Sequence, residues 1–378
     1  MAIVSALGLI IITCIVIWRA CDGFEMASDF LGKNMKDGVK GATINAIGSS
    51  LPELFTTLFF LFVLKDSDGF SGGVGTTAGS AVFNAMIIPA VVIMAVIGKG
   101  IVSRIKVSKK VIKRDGISLI LCEIVLILLI TVTELDWYHG LTLMLLYVVY
   151  IVYMLSTQGR GIVANGYEAE ANGGNRTIAF FKGDLATTVL GDKRINLKRA
   201  WILMLLSVFF IAIACYWLVE ACEQFGQAIG MPIYFVSVVL ASAATSVPDT
   251  IISWKDAMKG NYDDAVANAL GSNIFDICFA LGFPLFLFTL IYGPIYMSPE
   301  TLENVGQLRV LLLLITIVAF FIYLVPKTIR KSHGYLLITL YALFVMYIVL
   351  KGMDSDLGAV RSISDSLSSI SNFFGNLF

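Results

Sequence analysis

The chain of 378 residues is 58% hydrophobic and only 14% charged, with 27 acidic against 27 basic side chains and no net charge. That leaves too little polar material to coat a soluble globule of this size, so the bilayer is the natural solvent. Basic residues scattered over several connections argue against a nucleic-acid partner. Six cysteines, Cys14, Cys21, Cys122, Cys215, Cys222 and Cys278, lie in or beside apolar runs without zinc-type spacing, and read as buried small hydrophobes.

In chain order the apolar runs predict an all-α polytopic membrane protein of about ten transmembrane helices, at 3–31, 39–64, 71–97, 116–134, 140–157, 200–226, 231–256, 262–291, 308–325 and 334–351. The first run, Ile3 to Trp18, has no basic region before it and no small-residue cleavage site after it, and is expected to be a retained span. The connection Lys99 to Arg114 carries seven Lys/Arg, the stretch Gly159 to Arg199 seven more, and Lys327 to Lys331 three. Alternate connections are acidic, with Asp66 and Asp68, Glu134 and Asp136, Glu300 and Glu303. Under the positive-inside rule this sorting puts both termini outside.

The spans divide into two halves of about five helices. Residues 1–157 form the first, 158–199 a polar, glycine-rich cytoplasmic linker, 200–351 the second, and 352–378 a tail. Asn175-Arg176-Thr177 matches a glycosylation acceptor, but the topology places it in the cytoplasm and the match reads as chance. In the tail, Ile363, Leu367, Ile370, Phe374 and Leu377 repeat at helical spacing, which suits a helix on the membrane surface or one packed on the protein.

Two segments recur. Gly48-Ser49-Ser50-Leu51-Pro52-Glu53-Leu54 matches Ala244-Thr245-Ser246-Val247-Pro248-Asp249-Thr250 at a separation of 196, and Gly79-Ser80-Ala81-Val82-Phe83-Asn84 matches Gly271-Ser272-Asn273-Ile274-Phe275-Asp276 at 192. An odd number of spans separates the copies, so they cross the membrane in opposite directions, the inverted-repeat plan of many secondary transporters, with sites at the midplane. Pro52 and Pro248 remove backbone donors inside spans and free carbonyls nearby. Together with Ser49, Ser50, Glu53, Ser80, Asn84, Thr245, Ser246, Asp249, Ser272 and Asp276 they offer the all-oxygen donor set that Ca2+ prefers. Each ionised carboxylate near a helix centre costs about 2.5–3.5 kcal/mol, which a bound cation offsets. The bland alternative makes these acids hydrogen-bonded core groups and the hydroxyls packing residues. A lone intramembrane Ser or Thr would suit that alternative; the whole constellation, placed twice by a repeat, favours an ion site.

Other features are expected to be structural. Arg19, Asp22 and Glu25 fall near the end of the first helix or pair with one another, and His139 and His333 fall in predicted loops, which leaves no central histidine relay. Gly72, Gly73, Gly75 and Gly79 allow close packing of the third span, as do Gly8 and Gly23 in the first.

At the duplicated motifs the chain resembles the cation/Ca2+ exchanger superfamily, the sodium/calcium exchanger membrane proteins, over roughly Asp22 to Val96 and Cys215 to Phe288. The resemblance implies an antiporter, not an enzyme, that exchanges Na+ for Ca2+ by alternating access. It implies coordination by Ser49, Ser50, Glu53, Ser80, Asn84, Thr245, Ser246, Asp249, Ser272 and Asp276, with carbonyl contributions from Ala46 and Ser242. Asp249 in the second proline motif and Asp276 in its partner motif bring the pattern closest to the K+-dependent branch, so K+ joins Na+ and Ca2+ among the expected ions. No resident cofactor is implied. The linker is too short for the regulatory domains of animal plasma-membrane exchangers, so a prokaryotic cell membrane is expected; separately, the unit is expected to be a monomer, with an oligomer left open. A Ca2+/H+ antiporter on the same fold is the alternative, disfavoured because Na+ sites use neutral oxygens that proton sites do not need. An aspartyl protease using Asp249 and Asp276 leaves the duplicated motifs unexplained, and broken helices in inverted repeats favour a transporter over a channel.

Overall fold

Apolar runs of this length satisfy their backbone in lipid only by coiling into helices. The structure, a computed structural model, describes residues 2–31, 46–65, 67–157, 175–191 and 193–375. In the first half, α1 is Ala2–Leu31, α2 Ala46–Ser49, α3 Leu51–Leu64, α4 Ser67–Gly98, α5 Lys109–Leu129 and α6 Trp137–Thr157. Two short helices follow, α7 (Arg176–Phe181) and α8 (Leu185–Leu190). The second half has α9 (Leu197–Ile229), α10 (Ile233–Val236), α11 (Ser242–Thr245), α12 (Val247–Met258), α13 (Tyr262–Phe275), α14 (Gly282–Tyr292), α15 (Pro299–Leu324) and α16 (Lys331–Gly352), with α17 (Gly358–Gly375) as the tail. A π-helical turn, Ser237–Ala241, joins α10 to α11, and another, Asp276–Ala280, joins α13 to α14.

Seven of these helical stretches are long and apolar enough to cross a membrane, and eight if the pair Ile233–Thr245 and Val247–Met258, bent by 40°, is one span. The fourteen residues of α3 are short for a crossing, and α5 opens with Lys109, Lys110, Lys113, Arg114 and Asp115. Those basic residues sit in the first turns of a helix, where the sequence placed them in a connection. The expected span 39–64 is described from Ala46 onward and is interrupted at Ser50; residues 39–45 lie outside the described residues.

Further expectations need correction. His139 and His333 stand in the first turns of α6 and α16, where each ring accepts a backbone N–H, from Asp136 and Arg330 respectively. Within the described part of the linker, α7 and α8 are helical because Asn175 and Asp184 cap them, each accepting a backbone N–H of the first turn. Asn175 of the acceptor-like triplet is thus an N-cap. Buried Leu185 on α8 packs among apolar residues of α1 and α9.

The connections meet in charge-sorted pairs. Ile105 and Ile329, in the two basic connections, exchange backbone hydrogen bonds of 3.0 and 2.8 Å. The acidic connections meet likewise, through antiparallel strands β1 (Glu134–Leu135) and β2 (Ile295–Tyr296). α1 lies along α9 with its own apolar cluster, and α4 is the central helix, packed by α3, α10, α11, α12, α13, α15 and α16. Close approach requires glycine: a Cβ on Gly79 would collide with the Val238 carbonyl oxygen and stand 2.8 Å from Ser242 Oγ. The tail helix packs on α15, where Ser364 and Ser368 hydrogen bond Gln307, and buries Val360 and Leu367.

Candidate ion site

Proline sets the two breaks. Pro52 and Pro248 lie in the first turns of α3 and α12, where a missing N–H costs nothing. Just before them Ser50 (φ −96°, ψ 7°) and Ser246 (φ −81°, ψ 0°) depart from helical geometry in the same way. Ser50 N donates to Ala46 O at 3.1 Å and Ser246 N to Ser242 O at 3.0 Å. Ser49 Oγ and Thr245 Oγ1 add a second bond to those carbonyls, both 3.2 Å. Ala46 O and Ser242 O therefore hold two donors each, and would reach a cation only after those hydroxyls turn away.

All twelve residues singled out from the sequence are buried, none more than 1% exposed. Ser80 on α4 is their hub. Its Oγ lies 3.1 Å from Glu53 Oε1, 3.0 Å from Asp276 Oδ2 and 2.8 Å from Ser246 Oγ. One hydroxyl thus links both halves. Asn84, one turn on, points Nδ2 at Asp249 Oδ2 (3.2 Å) and at Ser80 Oγ (3.4 Å). In the second half Ser272 Oγ donates to Asp249 Oδ1 at 2.8 Å, the counterpart of the Ser80 to Glu53 bond. Three further contacts cross between the motifs, with Ser49 beside Asp249, Thr245 beside Glu53 and Ser50 beside Asp276.

Chemically the cluster is a set of acceptors. Glu53 Oε2, Asn84 Oδ1 and Asp276 Oδ1 are buried without a hydrogen-bond partner, a costly state for polar atoms inside a bilayer. Among the described residues no Lys or Arg forms an ion pair with Glu53, Asp249 or Asp276. Three buried acids without a cationic side chain need protons or bound cations to balance them. The carboxylates are spaced by hydroxyl and amide groups, and no group of three His, Cys, Asp or Glu among the described residues is placed to hold a metal alone. Hard oxygen donors of mixed charge suit ions that must also leave.

The structure adds residues that motif reading missed. Asn268, one turn before Ser272, donates Nδ2 to Ser253 Oγ (3.1 Å) and reaches Asp249 O (3.5 Å). Asn273 donates to Ala81 O at 2.9 Å; these two residues occupy the same position in the two copies of the second motif. Glu123 on α5 is buried, accepts from Thr316 Oγ1 at 2.7 Å and leaves Oε2 unpartnered. Its signal was legible, since an acid inside a predicted span is a default functional candidate. Among the described residues Arg19 forms no ion pair with Asp22 or Glu25; both acids instead reach Lys255 Nζ on α12, at 3.0 and 3.2 Å.

Comparison with known proteins bears on family and fold. The family description "Sodium/calcium exchanger protein" matches residues 5–156 and 199–350. The chain is 31% identical over 170 residues to sodium/potassium/calcium exchanger 1 of Bos taurus, covering 45% of this chain and 14% of that protein. It is 34% identical over 147 residues to sodium/potassium/calcium exchanger 2 of Mus musculus, covering 38% and 22%. The chain thus matches less than a quarter of the length of either relative. The fold is similar to that of the H+/Ca2+ exchanger CAX, with a TM-score of 0.64 at 12% identity over 99% of this chain and 92% of that one. It is also similar to the sodium-calcium exchanger NCX_Mj, with a TM-score of 0.57 at 19% identity over 92% and 99%. With the family description matched across both halves, the chain belongs to the sodium/calcium exchanger family and is an integral membrane protein.

Proposed function

We propose that the protein is a secondary antiporter that exchanges Na+ for Ca2+ by alternating access. The single observation that carries the reading is the buried oxygen cluster around Ser80, to which both duplicated motifs contribute and which contains three acids but no basic side chain. Its ligands are Ser49, Ser50, Glu53, Ser80 and Asn84 from the first half and Thr245, Ser246, Asp249, Ser272 and Asp276 from the second, with the carbonyls of Ala46 and Ser242 recruited as the site opens. Neutral hydroxyl, amide and carbonyl oxygens suit Na+, while the carboxylates supply the charge Ca2+ demands.

The architecture we propose is ten spans in two inverted five-helix repeats. Support comes from the family match falling in two blocks of equal length, from corresponding serine-to-carboxylate bonds in both, and from basic connections meeting at one end and acidic ones at the other. Both termini then lie outside and the linker in the cytoplasm, with a prokaryotic cell membrane as the setting and the monomer as the unit. K+ co-transport through Asp276 extends the reading. Its support is the motif likeness to the K+-dependent branch and the names of the relatives.

The test is 45Ca2+ uptake into Na+-loaded proteoliposomes diluted into choline, K+ or Na+ media, with a proton gradient imposed separately. Uptake that needs the outward Na+ gradient is expected. Stimulation by K+ over choline at clamped voltage would add K+ to the cycle. Uptake driven by protons and indifferent to Na+ would replace the reading by Ca2+/H+ antiport, which the unpartnered carboxyl oxygens of Glu53 and Asp276 could also serve.

A further inference from the structure

Arg309 lies on α15 and is 1% exposed. Its Nε donates to Val305 O at 3.1 Å and Nη1 to Ile127 O at 3.2 Å, so it touches the last turn of α5. These partners are carbonyls, and the partial charge of a helix C-terminus balances only part of a guanidinium. Among the described residues Arg309 has no carboxylate partner, and Nη2 has no acceptor. A buried, unpaired arginine inside a span is costly unless it draws in an anion.

Space for that anion is present. A cavity of about 700 Å3 opens beside Arg309 and is lined also by Thr131, Glu303, Ser368, Ser371 and Asn372. Three of these residues come from the tail helix, which therefore walls the cavity. Gly306 lets the wall come close: a Cβ there would stand 2.5 Å from Ser371 Oγ and 3.5 Å from Arg309 Nη2. Hydroxyl and guanidinium donors thus converge over one glycine. Glu303 lines the same cavity, its Oε1 accepting from Gln307 Nε2 (2.9 Å) and from Ser368 Oγ (3.1 Å), and Lys351 Nζ sits on Gln307.

We infer that this cavity binds a phosphate group, with Arg309 Nη2 as its charged donor and Ser371 and Asn372 as neutral ones. Arginine presents paired N–H groups to tetrahedral oxyanions. The phosphate belongs to an anionic phospholipid headgroup or to free phosphate in the medium. The site is separate from the cation cluster, and its test does not depend on the transported ions.

The test is thermal unfolding of the full-length protein in a sugar-headgroup detergent, titrated separately with sodium phosphate, short-chain phosphatidylglycerol and, as control, short-chain diacylglycerol. In wild type, phosphate or phosphatidylglycerol should raise Tm saturably by about 3 °C or more while diacylglycerol does not. Response to phosphate marks a free-anion site; response to the lipid alone marks a headgroup site. Arg309→Gln should remove the response. If that variant does not fold, Ser371→Leu, which fills the cavity and keeps the arginine, should remove it instead. No rise with either probe in wild type, a rise with diacylglycerol of equal size, or an undiminished rise in the variants would overturn the assignment.

Discussion

Ser80 Oγ and Asp276 Oδ2 stand 3.0 Å apart although 196 residues separate them, and this bond joins the central helix α4 to the π-helical turn after α13. The same hydroxyl touches Glu53 and Ser246. Among the described residues Ser80 is the one hydroxyl within hydrogen-bond distance of both Glu53 and Asp276, and Ser80→Ala leaves one of these carboxylates short of its donor. Loss of buried hydrogen bonds to charged groups costs about 1.5–3 kcal/mol each, so the apparent Ca2+ affinity should fall by about tenfold or more. Ca2+ titration of exchange in proteoliposomes reads it; an unchanged affinity would remove Ser80 from the site.

Glu53→Gln and Asp249→Asn keep shape and volume but delete the charge. Exchange should fall by about 100-fold or more, because a neutral amide cannot balance a divalent ion in low dielectric. Folding should survive, since neutralising an uncompensated buried acid relieves its desolvation cost. Size-exclusion profile and Tm check the fold, and 45Ca2+ flux checks function. Either variant exchanging at the wild-type rate would break the assignment.

Asp276→Asn tests the K+ branch. Asp276 reaches Ser80 with one oxygen and leaves the other unpartnered. If K+ binds there, the variant should lose K+ stimulation of Ca2+ uptake while retaining more of its Na+-driven exchange. A K+ response of wild-type size would remove Asp276 from that role.

Gly79→Val tests the packing that brings α4 to the second half. The new Cβ meets the Val238 carbonyl oxygen, a backbone atom that cannot turn aside. Overpacking of this kind costs about 1–3 kcal/mol. A lowered Tm and weaker exchange are expected together, because Ser80 follows Gly79 in sequence and moves with it. The same substitution at Gly98, which meets nothing within 4 Å, is the control and should leave both unchanged.

The sequence by itself determined the solvent, the run of helices and the two motif pairs, because apolar composition, proline positions and repeated spacing are local properties. The ten residues taken from those motifs are all buried, and several of them meet at Ser80. Helix interruptions at Ser50 and Ser246 were legible as proline effects, but the π-helical turn at Asp276 was not, since no residue type marks it. Tertiary structure decided what touches what. Periodicity shows that Asp22 and Glu25 share a helix, yet not that Lys255, more than 200 positions away, lies against both. It shows Arg309 at the edge of a predicted span, yet not that its side chain is buried among carbonyls beside a cavity. Such pairings depend on how helices distant in sequence cross. Crossing is set by the summed fit of many small contacts, with glycines such as Gly79 admitting close approach, and no single position carries that information.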